Sequence, residues 1–203
     1  KVNVAAPPRM DTQIDDRGAL ALGSAKQLAS KNDARPRLGT RMWVRGATGR
    51  FLRPLLAELT NWISNCRSQA LLLLRCVIVY CEEHLTVDLH LIVPALCKAL
   101  QRAQREGERE HAEQLLICVE LLGRFVLPEA YIPFFAPRVS GELEVLPTGT
   151  DDASRAVVLA LLERMVAGSL PSQLVLHVDE LFALLTDDDV LDVCDTVASL
   201  RAT

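Results

Sequence analysis

The residues able to do chemistry are few and fall into three small groups. Cys81, His84 and His90 carry the sulfur and imidazole ligands that zinc takes. Cys81 sits in an apolar helical stripe, however, and the two histidines straddle a helix break, so a core cysteine and surface histidines are expected instead of a metal site. Cys118 lies in the run LLICVELL with no basic neighbour to lower its pKa, and a buried apolar thiol is inert. Asp187, Asp188 and Asp189 would suit hydrolysis or cation binding, yet acids at a helix start are explained by capping and by the positive end of the helix dipole. No Gly-rich phosphate loop, GxSxG or HExxH occurs in the chain. An enzyme is not expected, nor a cofactor or a metal.

A further group is basic rather than reactive. Arg35, Arg37, Arg41 and Arg45, with Trp43 among them, fall within residues 31–50, which three glycines and one proline mark as a long loop or insertion. Arginines tracking a phosphate backbone while Trp43 stacks on a base is the nucleic-acid reading. One aromatic and no recognisable motif leave a solvated loop, cut first by proteases, as the expectation. The charge split is uneven: residues 1–53 hold 11 Lys+Arg and 4 Asp+Glu, net +7, and the remainder carries net −11, giving the overall −4. Such a basic arm would bind phosphate, an acidic partner, or the body's own acidic end. Arg102 and Arg105, read as exposed charges in the turn before an inner helix, complete the candidate partner-binding set with Arg35, Arg37, Arg41, Trp43 and Arg45.

What must position these residues is a helical body. The chain has 203 residues, 50% hydrophobic and 4% aromatic, enough apolar material for one sizeable core or a short array. Six cysteines without CxxC spacing point to reduced thiols in a cytoplasmic protein. The longest apolar run, Ala70–Cys81, is interrupted by Arg75 and falls short of the ~20 residues that cross a bilayer, so no membrane association is expected. The chain opens on Lys1 rather than methionine, and a piece of a longer protein is expected.

Residues 1–15 read as a disordered lead-in, and 16–30 as a helix with Ala19, Leu22, Ala25 and Ala29 on one face. Helices are then expected over Arg53–Trp62, Arg67–Glu83, Val87–Gln101, Glu108–Val126 and Glu129–Ser140. After a connector, Thr150 caps a helix to Ala167 with Asp151 and Asp152 in its first turn. Pro171 opens another, carrying Leu174, Val178, Leu181, Phe182 and Leu185 inward, and Asp187–Arg201 forms the last. Ala70, Leu74, Val77, Ile78 and Cys81 mark the inward face of the second of these, with Leu71, Leu72 and Leu73 making its other faces apolar too. The arrangement repeats, with pairs at about 51–83, 87–126, 128–167 and 171–203. Pro54, Pro94 and Pro133 recur at intervals of 40 and 39, each in the first helix of a pair. This is the period of HEAT and armadillo repeats, an all-α solenoid spanning residues 16–203.

Specific runs narrow the resemblance. Arg67 and Arg155, near the starts of inner helices, resemble the arginine that HEAT repeats place there. The turn Leu59–Trp62, the start Arg67–Ser68–Gln69–Ala70–Leu71–Leu72, the end Glu82–Glu83–His84, and Glu120–Leu121–Leu122–Gly123 leading to Pro128–Glu129 are similar to the C-terminal HEAT repeats of the axonemal dynein assembly factor family. The resemblance covers roughly residues 51–140 and has no catalytic motif to carry over. It implies a non-enzymatic scaffold or co-chaperone in cytoplasmic preassembly of dynein arms, with protein partners: dynein chains and other assembly factors. The alternative is a nucleic-acid-associated or transport-type HEAT scaffold using the basic segment 31–53, with nucleic acid the less favoured partner. Oligomeric state is not indicated by the sequence.

Overall fold

A computed structural model describes residues 36–143, 152–188 and 190–191. The lead-in 1–15, the helix expected at 16–30, Arg35, Thr150, Asp151 and most of 187–201 lie outside the described residues. Within them the chain is helical with no strand. The principal helices are α1 (Leu38–Glu58), α2 (Ser64–Cys81), α3 (Leu89–Arg105), α4 (Arg109–Phe125), α5 (Pro128–Val139) and α6 (Asp152–Gly168). Two shorter ones follow, α7 (Pro171–Leu174) and α8 (Val178–Leu185).

The helices pack as α1 on α2, α3 on α4 and α5 on α6, and α2, α4 and α6 stack in a row behind the first members of the pairs. Each first member carries proline, Pro54 in α1, Pro94 in α3, and Pro133 and Pro137 in α5, which removes ladder hydrogen bonds only in the outer layer. The core lies between the two layers: Leu74, Ile78, Leu115, Cys118, Leu122, Val158 and Met165 of the inner row and Ile92, Cys97, Ile132 and Phe135 of the outer are all solvent-free. Burying side chains of this size contributes about 1.5–3 kcal/mol each, which is why the pairs cannot stand alone and must stack.

The largest departure from the sequence reading is at the front. Residues 38–50, expected as a loop, are the first half of α1. Its buried face is Arg41, Thr48, Leu52, Leu55 and Leu56, spaced i, i+7, i+11, i+14 and i+15. That is helical periodicity, but its first two positions are polar and so do not register as a stripe. Gly39, Gly46 and Gly49 all face open space, where they weaken the helix without breaking it. The expectation of first cleavage within 31–50 is therefore withdrawn for residues 38–50.

The end of the array departs too. The helix expected from Pro171 to Leu185 is split by a 3₁₀ turn at Val175–His177. Leu181 and Leu184 pack against the core, while Val178, Phe182 and Leu185, expected inward, are exposed.

Candidate interaction surface

Two elements meet where α2 ends, and there the basic segment finds its partners. Glu82 terminates α2 with φ 51°, a left-handed conformation that a residue with a Cβ rarely adopts. Its carboxylate is buried and takes ion pairs from Arg41 and from Arg45, the latter at 3.3 Å. Arg45 also donates to Glu83 at 2.9 Å. Burial works to raise the Glu83 pKa, but a backbone hydrogen bond and the Arg45 guanidinium outweigh it and hold the carboxyl below its ordinary value. Beneath this pair, the Thr48 hydroxyl donates to the Val44 carbonyl at 2.9 Å and lies 3.1 Å from the Cys81 thiol.

The candidate residues are thus scattered. Arg37 is exposed just ahead of α1, where its carbonyl accepts from the Arg41 amide at 3.0 Å, and Trp43 is 75% exposed. Arg41 and Arg45 are directed at the chain's own carboxylates, one of the three destinations weighed for the basic segment. Arg105 is exposed as expected, but it and Arg102 form the last turn of α3, which runs past the expected end at Gln101, and do not stand in the turn that follows. Arg102, expected to be exposed, is not: its Nη1 donates to the carbonyls of Thr60 and of Asn61, the latter at 2.9 Å, and its Nε to Glu106 at 2.7 Å.

Arg102 shares that turn with Arg67, at the start of α2. Arg67 is buried and donates to the carbonyls of Asn61 at 2.8 Å and Trp62 at 3.2 Å, while its other terminal nitrogen pairs with Glu108. The carbonyls of residues 60–62 belong to the turn beyond the end of α1, and the two guanidinium groups supply the donors they need. Arg155 repeats the device two pairs on, donating Nε to the Val139 carbonyl at 2.9 Å at the end of α5. The middle pair departs, with Arg109 exposed and Glu108 facing Arg67 instead. His111 lies in this cluster with Nε2 buried and no hydrogen-bond partner among the described residues. Burial, then the Arg67 charge, depresses its pKa.

Further along α2, Arg75 donates to the Gln114 carbonyl at 2.8 Å and to its side-chain oxygen at 2.6 Å, tying α2 to α4. The contact of α4 with α6 is of another kind. A methyl group at Gly123 would strike the Met165 carbonyl, and one at Gly168 would strike the Glu120 carbonyl. Only glycine allows this approach of two helix backbones. Ser169 closes the site: its hydroxyl donates to the Met165 carbonyl at 2.9 Å or the Gly123 carbonyl at 3.1 Å, and lies 2.9 Å from the Tyr131 hydroxyl of α5.

Among the described residues the candidate chemical groups lie apart from one another. Burial pushes the Cys97 and Cys118 thiols up to about 12, so neither is a thiolate at neutral pH. Cys81 is buried, His84 is exposed, and the Nδ1 of His90 bonds the Val87 carbonyl at 3.0 Å. No group of metal-binding side chains occurs among the described residues. Asp187 and Asp188 are exposed, with the Asp187 carbonyl accepting from the amides of Val190 and Leu191 at 3.0 Å, while the Asp189 side chain lies outside the described residues. Thr48, His111 and Ser169 were not singled out from sequence, and Glu82 entered only as part of the run Glu82–Glu83–His84, with no partner. The one available signal was the i, i+7, i+11 spacing of Arg41, Thr48 and Leu52.

Rows of antiparallel helix pairs, joined by arginines and bare backbone, define a HEAT-type α-solenoid, a class of protein built around its surfaces. Residues 27–200 match the family model "Dynein axonemal assembly factor 5, HEAT-repeat domain", and the chain belongs to that family. It is 27% identical over 119 residues to mouse Dynein axonemal assembly factor 5, an alignment covering 56% of this chain and 14% of that protein. No solved structure matches. Among the described residues no helix is long and apolar enough to cross a membrane.

Proposed function

We propose that this chain is a non-enzymatic scaffold or co-chaperone segment that acts in the cytoplasm in preassembly of axonemal dynein arms, binding client or chaperone proteins through the solenoid surface. The observation that carries the reading is the family match over residues 27–200. Physical considerations fit it. Dynein chains are large and multidomain, and such chains expose apolar surface while incomplete. An extended repeat array offers many weak contacts without a preformed pocket. The use of Arg41 and Arg45 on Glu82 and Glu83 weighs against a phosphate-gripping arm.

Depleting the protein in a ciliated cell tests this. Axonemes should be built yet short of outer dynein arms, with dynein heavy chains reduced or held in the cytoplasm. Normal arms and normal motility after complete loss would remove the assembly role.

A further inference from the structure

Helix α2 is apolar on nearly every side, yet one side of it stays open. Gln69, Leu73, Cys76 and Tyr80 recur at i, i+4, i+7 and i+11 and so share a face. Leu73 is 52% exposed, Gln69 is exposed, and Cys76 and Tyr80 are half-buried. This face turns away from α4, because a helix rotates by about 200° over the two residues from Leu73 to Arg75, which reaches Gln114. Helix α4 has a neighbour on either side, α2 and α6. At α2 the row has a seat for one more helix.

The chain's own path says what fills that seat. The first turns of α1 lie against the end of α2, where Arg41 and Arg45 meet Glu82. Seven residues, 31–37, separate α1 from the segment 16–30, and they span at most about 25 Å. The end of that segment is therefore held near the end of α2, beside Tyr80. Helix α2 passes to α3 in the same way, through the seven residues Glu82–Asp88. Laid beside α2 in the same direction, a helix over 16–30 extends back by about 22 Å, and the α2 face from Tyr80 to Gln69 needs about 16 Å. Its expected stripe, Ala19, Leu22, Ala25 and Ala29, is small where the α2 face is bulky, and small residues let helices close up, as Gly123 and Gly168 do where α4 crosses α6. The family match begins at residue 27, inside this segment.

We propose that residues 16–30 form the first member of the inner row and cover the Gln69, Leu73, Cys76 and Tyr80 face of α2, so that the chain closes the front of its own array. A tether of seven residues holds the segment at millimolar effective concentration. A partner reaching this face must first displace it.

Cys76 makes the contact testable in the full chain. Ala25→Cys and Ala29→Cys stand one helical turn apart, so at least one of them should be oxidised by copper phenanthroline to an intrachain disulfide with Cys76, mapped by peptide mass spectrometry and lost with Cys76→Ser. Leu22→Asp puts a charge into the contact and should speed alkylation of Cys76 by N-ethylmaleimide at least about tenfold over wild type. Equal alkylation rates in the two chains would overturn the proposal, as would failure of both cysteine variants to pair with Cys76. Pairing instead with Cys66, half-buried near the start of α2, would reverse the direction of the segment and overturn it too. Disulfides between two chains, growing with protein concentration, would give the face to a second copy. Should Leu22→Asp unfold the array, the disulfides decide.

Discussion

The front and rear of the inner helix row are joined by opposite means. Between α2 and its neighbours the contacts are charged and directional: Arg75 reaches across to Gln114, Arg67 to Glu108, and Arg41 and Arg45 meet at Glu82. Between α4 and α6 the backbones touch at Gly123 and Gly168, the Ser169 and Tyr131 hydroxyls close the crossing, and charge enters only at the partly exposed rim, where Arg164 lies 3.7 Å from Glu113 and 3.9 Å from Glu120. A buried guanidinium tolerates small shifts in its acceptors but not their loss. A backbone contact tolerates loss of charge but no added atom. Within one solenoid, then, sensitivity to electrostatics and sensitivity to volume belong to different places.

Glu82→Ala should have the largest effect, about 3 kcal/mol in urea unfolding, because it removes the shared buried counter-charge of Arg41 and Arg45. Arg45 retains Glu83, which places the cost at the low end of the roughly 3–5 kcal/mol expected for breaking a buried pair. Gly123→Val should follow, at about 2–3 kcal/mol of overpacking against the Met165 carbonyl. Its loss should be independent of salt and pH; a salt-dependent loss would mean that the rear contact is electrostatic after all. Arg67→Met keeps the apolar stem but leaves Glu108 and the Trp62 carbonyl without their donor, while the Asn61 carbonyl keeps Arg102, and should cost about 2 kcal/mol.

The smallest effect is one of pH. The folded-state pKa of His111 lies below its ordinary value, so in the fall through pH ~6.5 the unfolded chain takes up the proton first and stability declines. The charges facing it, Arg67, Arg102 and Glu108, leave an excess of positive charge against imidazolium. Melting temperatures of wild type and His111→Gln at pH 7.5 and 5.5 should differ, with the variant losing less on acidification. Equal losses would show that the front cluster does not sense this proton.

The same division explains what could be read from sequence. Helices α2 to α6 follow from apolar periodicity, since their buried faces are aliphatic or Cys for most of their length and, in α5, aromatic as well. The first half of α1 was hidden because Arg41 and Thr48 occupy core positions and depend on partners 41 and 33 residues away, Glu82 and Cys81. Arg67 and Arg155 were legible as a repeat feature, but what they bind was not. Gly123 falls on the apolar face of the helix expected over Glu108–Val126, yet nothing in a single chain shows that a carbonyl lies where its Cβ would be. Charge pairing and close approach are both facts about distant residues, and periodicity reports only on near ones.

The two glycines have a consequence for how the sequence is free to vary. Inserting or deleting one residue within α4 rotates everything beyond it by about 100°, bringing a Cβ into the place of Gly123 or carrying Gly168 away from Glu120. Neither helix can change length independently upstream of the crossing without a side chain meeting a main-chain oxygen. The crossing therefore acts as a register lock, and changes in chain length are confined to the turns and connectors that lie between helices.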